Sequence, residues 1–378
     1  MSEISLYIHW PFCEAKCPYC DFNAHVKASI DQKKWLKSLQ KEILYYSLQT
    51  KGRVITSIFF GGGTPSLIQP DIICEILTTI HKYWITKPNI EITLEANPTS
   101  IETQRLFEFK SIGINRVSIG IQSLDKSALK FLGRNHTDKE ARKAINEARK
   151  VFSNYSFDFI YTRPQQSIIA WQRELRDILK IVGGHLSLYQ LNIEPGTPYS
   201  KQGIQMPSNE VSAEFYEKTN QIMESAGLPS YEISNYASPG FECLHNLNYW
   251  RGGDYIGIGP GAHGRITQNG DVFSTYQIYE PNTWQKSINK RGHGTAKRKI
   301  MSQQNRAEEL IMLGLRATEG LSKKTFQKQV KRPFNSFINT KNFYYMVENN
   351  FLIETSSSIK ATLSGRMCLN LVLEKLLT

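Results

Sequence analysis

Ile8-His9-Trp10-Pro11-Phe12-Cys13-Glu14-Ala15-Lys16-Cys17-Pro18-Tyr19-Cys20 holds three of the chain's six cysteines. Pro11 and Pro18 prevent a continuous helix, because proline lacks the backbone N–H and fixes φ. The stretch is therefore a loop able to bring three thiolates to one point. Two metal sites fit it. A structural zinc knuckle needs a fourth ligand, and His9 and His25 are near enough in sequence to offer one. A [4Fe–4S] cube on three thiolates instead leaves one iron open to chemistry.

Outward from this loop, short β-branched and aromatic runs alternate with segments of helical period, the pattern of βα units on a parallel sheet. Strands are predicted at 5–8, 56–60, 91–95, 116–121, 156–160 and 186–191. Asp31 is placed to cap a helix that buries Trp35, Leu36, Leu39 and Ile43, and Thr137 with Glu140 forms a capping box before Ala141, Ala144, Ile145 and Ala148. A further helix presents Val211, Phe215, Ile222 and Ala226 and stops at Gly227, with Pro229 beyond it. Six βα units are fewer than the eight of a closed barrel, so an α/β fold built on a partial (β/α)6 barrel is expected.

Phe241 to Arg265 reads as irregular, Gly-rich and aromatic. The chain beyond about Gln304 reads as a smaller, mainly helical accessory domain, with Glu308 to Arg316 its strongest helix. The expected division is 1–235 for the barrel, 236–303 for a connecting segment and 304–378 for the accessory domain.

At 378 residues, with 40% hydrophobic and 11% aromatic residues, the chain can bury a large core. A formal net charge of +12 favours anionic partners: nucleic acid, acidic lipid headgroups or carboxylate-rich small molecules. No basic run interleaved with aromatics points to nucleic acid. Neither a secretory signal nor an apolar span of bilayer length is present, so a cytoplasmic protein with reduced thiols is expected, at most peripheral at the inner face of a membrane. Cys74 and Cys368 sit in helical apolar patterns and read as packing residues. Cys243, beside His245, is ambiguous.

In parallel barrels functional groups gather at the carboxyl ends of the strands. The cysteine loop follows strand one and Gly61-Gly62-Gly63-Thr64-Pro65 strand two. Glu95-Ala96-Asn97-Pro98 ends strand three and Gln122 strand four, Asp158 lies in strand five, and Gln190 and Asn192 end strand six. Three glycines after a buried strand serve either a tight turn or the close approach of a ligand to bare backbone. They do not have the spacing of a phosphate loop. Glu95, ending an apolar strand, is costly to leave unpaired, so a ligand hydroxyl or ammonium would suit it.

With these residues assembled, the chain resembles the radical S-adenosylmethionine (SAM) superfamily. Its hallmark is matched by the Cys13-x-x-x-Cys17-x-x-Cys20 spacing with Tyr19 before the last cysteine, and its second motif by Gly61 to Pro65. More narrowly it is similar to the HemW-type heme chaperones, relatives of oxygen-independent coproporphyrinogen III oxidase. That likeness rests on Tyr7 to Cys13, Asp21-Phe22-Asn23, Glu95 to Pro98, Ser118 to Ser123, His245-Asn246-Leu247-Asn248-Tyr249-Trp250 and Gly257-Ile258-Gly259-Pro260-Gly261-Ala262-His263.

The resemblance implies a [4Fe–4S] cluster on Cys13, Cys17 and Cys20, whose open iron chelates SAM and can cleave it reductively. It also implies a SAM site of Tyr7, Gly62, Gly63, Thr64, Glu95, Gln122, Arg134 and Asp158, with Tyr19 near the adenine and Asn192 and His263 as weaker members. Heme and heme-accepting apo-proteins would be the partners, in a chain that can also oligomerise. His245 is the first choice of axial heme ligand and Cys243 the second; no catalytic residue is assigned. The alternative is the oxidase, a radical SAM decarboxylase of coproporphyrinogen III. It usually carries a further cysteine where this chain has Phe22, and an N-terminal extension, whereas Cys13 here follows only twelve residues. Both differences favour the chaperone. After strand five the family's Tyr-Gly-Leu-Pro-Gly-Gln is replaced by Tyr161-Thr162-Arg163-Pro164-Gln165-Gln166, so a reshaped loop near Asp158 is expected.

Overall fold

The computed structural model describes residues 2–377. All six predicted strands form: β1 (Glu3–Trp10), β2 (Val54–Gly62), β3 (Ile85–Ala96), β4 (Arg116–Gln122), β5 (Asn154–Tyr161) and β6 (His185–Gln190). They pair in parallel in chain order. Parallel neighbours need long crossovers, and helices supply them. Among these are α1 (Gln32–Gln49), α2 (Pro70–Tyr83), α3 (Asp138–Val151), α4 (Ile168–Leu179) and, after β6, α5 (Asn209–Ser225).

Local sequence sets the helix ends as expected. Asp31 Oδ1 accepts from Lys34 N at 3.0 Å. Glu140 N donates to Thr137 Oγ1 while Thr137 N donates to Glu140 Oε2, closing the capping box. Past α5, Gly227 takes φ +75°, a left-handed turn that glycine adopts without cost. The buried stripe of α5 differs from the expected one: Phe215, Thr219 and Met223 face the core, and Val211 is exposed.

Leu6, Ile58, Phe60, Leu94, Val117 and Leu186 are fully buried between sheet and helices. Each such side chain stabilises the fold by roughly 1.5–3 kcal/mol. Cys74 departs from its reading as a packing residue. It is exposed on α2, whose Ile72, Ile73, Ile76 and Leu77 take the core face, while Cys368 is half-buried.

The sheet extends beyond the six units. β7 (Asn235–Ala237) runs antiparallel on β6, and β8 (Tyr255–Ile258) pairs in parallel with β1. Antiparallel β9 (His263–Gln268), β10 (Asp271–Gln277) and β11 (Thr295–Ile300) complete eleven strands. The segment expected to be irregular thus holds β8 and the helix α6 (Leu244–Trp250). Four residues including Gly257 carry too little pattern to be read as a strand. A Cβ on Gly257 would lie 1.9 Å from the carbonyl oxygen of His263, so the close approach of β9 demands glycine there.

After α7 (Pro281–Arg291), the helix α8 (Gln303–Gly314) opens a second apolar core that includes Leu310, Phe326, Phe343 and Leu373. Around it stand mainly helices and a three-stranded sheet of Leu321–Ser322, Ser358–Ala361 and Leu352–Glu354. Among the described residues no helix is long and apolar enough to cross a membrane.

Candidate functional site

The carboxyl ends of β1 to β6 open into a bowl of about 370 Å3. Cys13, Cys17, Tyr19 and Cys20 line it from the loop after β1, Gly62, Gly63 and Thr64 from the end of β2, and Glu95 from β3. Gln122, Arg134, Asp158 and Asn192 line the remainder. Residues 179 positions apart in sequence therefore share one cavity, counting from Cys13 to Asn192.

Hydrogen bonds fix the wall. Arg134 Nη1 points at Cys17 Sγ (3.3 Å), and its Nη2 donates to Asn97 Oδ1 (2.7 Å) and to Gly120 O (3.0 Å). Asn97 Nδ2 donates to Thr64 Oγ1 at 3.2 Å, and Asn97 N to Glu102 Oε2 at 2.8 Å. Gln122 adopts φ +67°, backbone strain of a kind found at functional sites. The glycines prove to serve neighbouring backbone. A Cβ on Gly63 would meet Phe12 O at 2.5 Å, and one on Gly62, at φ +118°, would meet His9 Cε1 at 2.6 Å. Bare backbone at this turn is what lets the cysteine loop lie against β2.

The electrostatics suit cationic guests. Burial and then Asp158 push the Glu95 carboxyl up to about 8, although Gly62 N donates to its Oε2 at 3.1 Å. Burial likewise raises Asp158, whose Oδ1 accepts from Ser118 Oγ at 3.0 Å. Two buried carboxyls resisting ionisation side by side would both be relieved by a sulfonium or ammonium. Burial first, then the other cysteines, raises the Cys13 thiol, and burial raises Cys20. Thiolates here call for a positive centre, which metal supplies. Among the described residues no three His, Cys, Asp or Glu side chains close round a single ion. The thiols rim a wider bowl, as a cube requires. His9 is not free to complete a zinc tetrahedron: its Nδ1 bonds Tyr7 Oη (3.0 Å) and its Nε2 the carbonyl of Asn23 (2.9 Å). His25 turns Nε2 onto Asn23 Oδ1 at 2.7 Å. The residues present therefore fit a three-thiolate cluster with a bound cationic nucleoside.

Four expected site residues lie elsewhere: Tyr7, His263, His245 and Cys243. Tyr7 does not line the bowl; it stands deeper in the barrel, beside His9, Phe59 and His245. His263 lines a different cavity, on the outer face of β9 to β11.

His245 is fully buried, with Nδ1 on Ser57 Oγ (2.8 Å), Nε2 on Tyr249 Oη (2.8 Å) and its ring stacked on Phe59. With both nitrogens committed and no open surface, it cannot ligate heme in this arrangement. The motif around it instead plugs the barrel's floor. Glu91 of β3 accepts from His245 N (3.0 Å) and Leu244 N (3.2 Å) and lies 4.0 Å from Arg116 Nε. Cys243, the second choice, is fully buried with Sγ 3.5 Å from Glu91 Oε1.

Two residues escaped the sequence reading. Asn23 Nδ2 donates to Pro260 O and Tyr279 O, both at 2.9 Å, pinning the cysteine loop to a turn more than two hundred residues away. Buried Glu42 accepts from Gly259 N (2.8 Å), Gly294 N (2.7 Å) and Trp284 Nε1 (3.2 Å). An acid on the apolar face of α1 was the available signal for Glu42. Asn23 gave none beyond its place in Asp21-Phe22-Asn23.

Comparison with known proteins agrees with this geometry. Residues 7–178 match the Radical SAM superfamily and 301–368 the HemN C-terminal domain. The chain is 36% identical to the heme chaperone HemW of Haemophilus influenzae, over 100% of this chain and 99% of that one. It is 40% identical to the mitochondrial radical S-adenosyl methionine domain-containing protein 1 of Danio rerio, over 85% of this chain and 74% of that one. Among solved structures, coproporphyrinogen III oxidase (HemN) from Escherichia coli superposes with a TM-score of 0.84 at 19% identity, covering 99% of this chain and 89% of that one.

Proposed function

The chain belongs to the HemW family of the radical SAM superfamily, and on that footing we propose that it is a heme chaperone: it binds heme and delivers it to heme-requiring proteins. The observation that carries this is end-to-end likeness, 36% identity to a HemW over essentially both whole chains. At 19% identity the likeness to the oxidase speaks for fold alone. Phe22, 60% exposed beside the bowl, stands where the oxidase type is expected to place a further cysteine.

Cys13, Cys17 and Cys20 hold a [4Fe–4S] cluster in this proposal. A bound cluster with SAM would supply one-electron reductive chemistry. The protein's own residues position and shield. Glu95 and Asp158 hold the cationic part of SAM, Thr64 and Arg134 are tied together through Asn97, and Arg134 offsets the negative charge on the Cys17 sulfur. Gly62, Gly63, Tyr19, Gln122 and Asn192 wall the nucleoside. The proposed setting is the cytoplasm, with the basic surface favouring acidic membrane faces where heme acceptors reside. Of the proposed divisions, the one at about 304 is supported by two separate apolar cores, whereas the first core runs on past 235 through Ile256, Ile258, Ile266, Trp284 and Ile288, so the segment 236–303 packs as part of the barrel.

The test is a paired assay on anaerobically reconstituted protein. A chaperone gives a Soret band on hemin addition and passes heme to an apo-acceptor, without converting coproporphyrinogen III when SAM and reductant are present. Conversion to protoporphyrinogen IX would install the oxidase instead.

A further inference from the structure

A heme carrier needs an axial ligand with a free lone pair, a flat apolar wall for the macrocycle and cations for two propionates. Of the chain's eight histidines, His9, His185 and His245 have both ring nitrogens in hydrogen bonds, and His25, His81, His136 and His293 have one; among the described residues His263 has neither bonded. Among the described residues, the ring of His263 meets only Tyr276, edge-on at 4.5 Å. It is exposed, and partial burial, then Arg265, hold its imidazole below the ordinary value.

Strand register places cations beside it. Across β9, β10 and β11 the partners are His263, Tyr276 and Lys297 in one row and Arg265, Ser274 and Lys299 in the next. Residues two apart share a face, so all six project outward, while Ile266 and Thr275 face the core. Arg265 is neutralised by Glu309 at 2.7 Å, whereas no carboxylate pairs with Lys297 or Lys299 among the described residues. The resulting groove has a volume of about 710 Å3, and Tyr279, Ile300 and Met301 give it apolar edges. Tyr279 and Ile300 are each 59% exposed, apolar surface that a planar ligand would cover. Asn23, which holds the loop of Cys20, also holds the backbone of Tyr279, so the groove flanks the cysteine loop on its outer side.

Resting on the heme-carrier reading, we propose that heme docks in this groove, with His263 as axial ligand, Tyr276 and Tyr279 against the macrocycle and Lys297 and Lys299 at the propionates.

The test titrates the full-length, anaerobically purified protein with hemin and with metal-free protoporphyrin IX. His263→Ala should shift or abolish the Soret band of bound hemin and weaken hemin by about tenfold or more, while leaving metal-free porphyrin binding intact. Lys297→Glu with Lys299→Glu should weaken both porphyrins by about tenfold, since both keep their propionates. Both changes lie on an exposed face, and circular dichroism checks the fold. Wild-type protein that binds hemin alongside a His263→Ala variant with unchanged spectrum and affinity overturns the groove while sparing the chaperone. Wild-type protein that binds no hemin overturns both.

Discussion

The two ends of the barrel hold similar residues and treat them oppositely. At the mouth, burial outweighs the nearby positive charges in keeping Glu95, Asp158, Cys13 and Cys20 from ionising, and Gln122, Thr162 and Gln165 adopt positive φ. At the floor, His245 engages both ring nitrogens, on Ser57 and Tyr249, and its N–H is taken by Glu91. A polar cluster that completes its own hydrogen bonds is structure; one that leaves groups uncompensated awaits a ligand. The histidine motif at the floor and the cysteine motif at the mouth look equally chemical as text, and hydrogen-bond accounting separates them.

The largest contrast should appear in metal content. Cys17→Ala should lower iron and sulfide in anaerobically purified protein to less than about a tenth of wild type, because two thiolates cannot hold the cube. His245→Asn should leave both unchanged. Full iron in the cysteine variant, or its loss in the histidine variant, would break the division between the ends.

In stability the order reverses. Glu91→Ala strips the acceptor from two N–H groups at the start of α6 and leaves Arg116 buried without its carboxylate. It should therefore cost about 3–5 kcal/mol in urea unfolding, as removal of one member of a buried pair does. Glu91→Gln, which keeps an acceptor, should cost less. A loss under about 1 kcal/mol for the alanine variant would mean that α6 does not depend on this support.

A smaller effect is pH-dependent. Burial, with Arg116 adding to it, holds His245 down to about 3. Its folded value is below that of free imidazole, so the unfolded chain takes up the proton first as pH falls. The contribution is full above about pH 6.5 and is lost through the acid range towards pH 3, at about 1.4 kcal/mol per pH unit. Between pH 6.5 and 5 that amounts to about 2 kcal/mol, and His245→Asn should remove one proton from the slope. An unaltered slope would place the acid sensitivity elsewhere, with buried His185, also depressed by burial, the next residue to test.

Most of the mouth was legible because its parts are local: cysteine spacing, glycines after a strand, an acid at a strand's end. The floor and the outer groove were not. The fate of His245 is decided by Ser57, 188 residues away, and that of the cysteine loop by bonds from Asn23 spanning 237 and 256 residues. Nothing in His-Asn-Leu-Asn-Tyr-Trp or in Gly-Pro-Gly-Ala-His says which histidine will be buried. Strand β8 was missed because four residues around a glycine carry no period to read.

The smallest prediction concerns the loop where two expected glycines are missing. The loop is not reshaped into ordinary conformations: Thr162 takes φ +57° and Gln165 φ +61°, values that glycine adopts freely. The side chains have changed and the left-handed backbone remains, at a cost of about 1 kcal/mol per position. Arg163, where the family has leucine, is kept in place by Glu174 at 2.7 Å and by Ile160 O. Gln165 is exposed and no hydrogen bond of its side chain would be lost, so Gln165→Gly should raise stability by about 0.5–1 kcal/mol. At Thr162 the branched Cβ makes the strain greater, yet its Oγ1 accepts from Gln190 Nε2 at 3.3 Å and its methyl is buried. Losing that bond and that packing costs about as much as the strain releases, so Thr162→Gly should be near neutral. If thermal melts instead rank Thr162→Gly as the more stabilising change, the strain at the mouth is concentrated in the buried residue, next to the strand that carries Asp158.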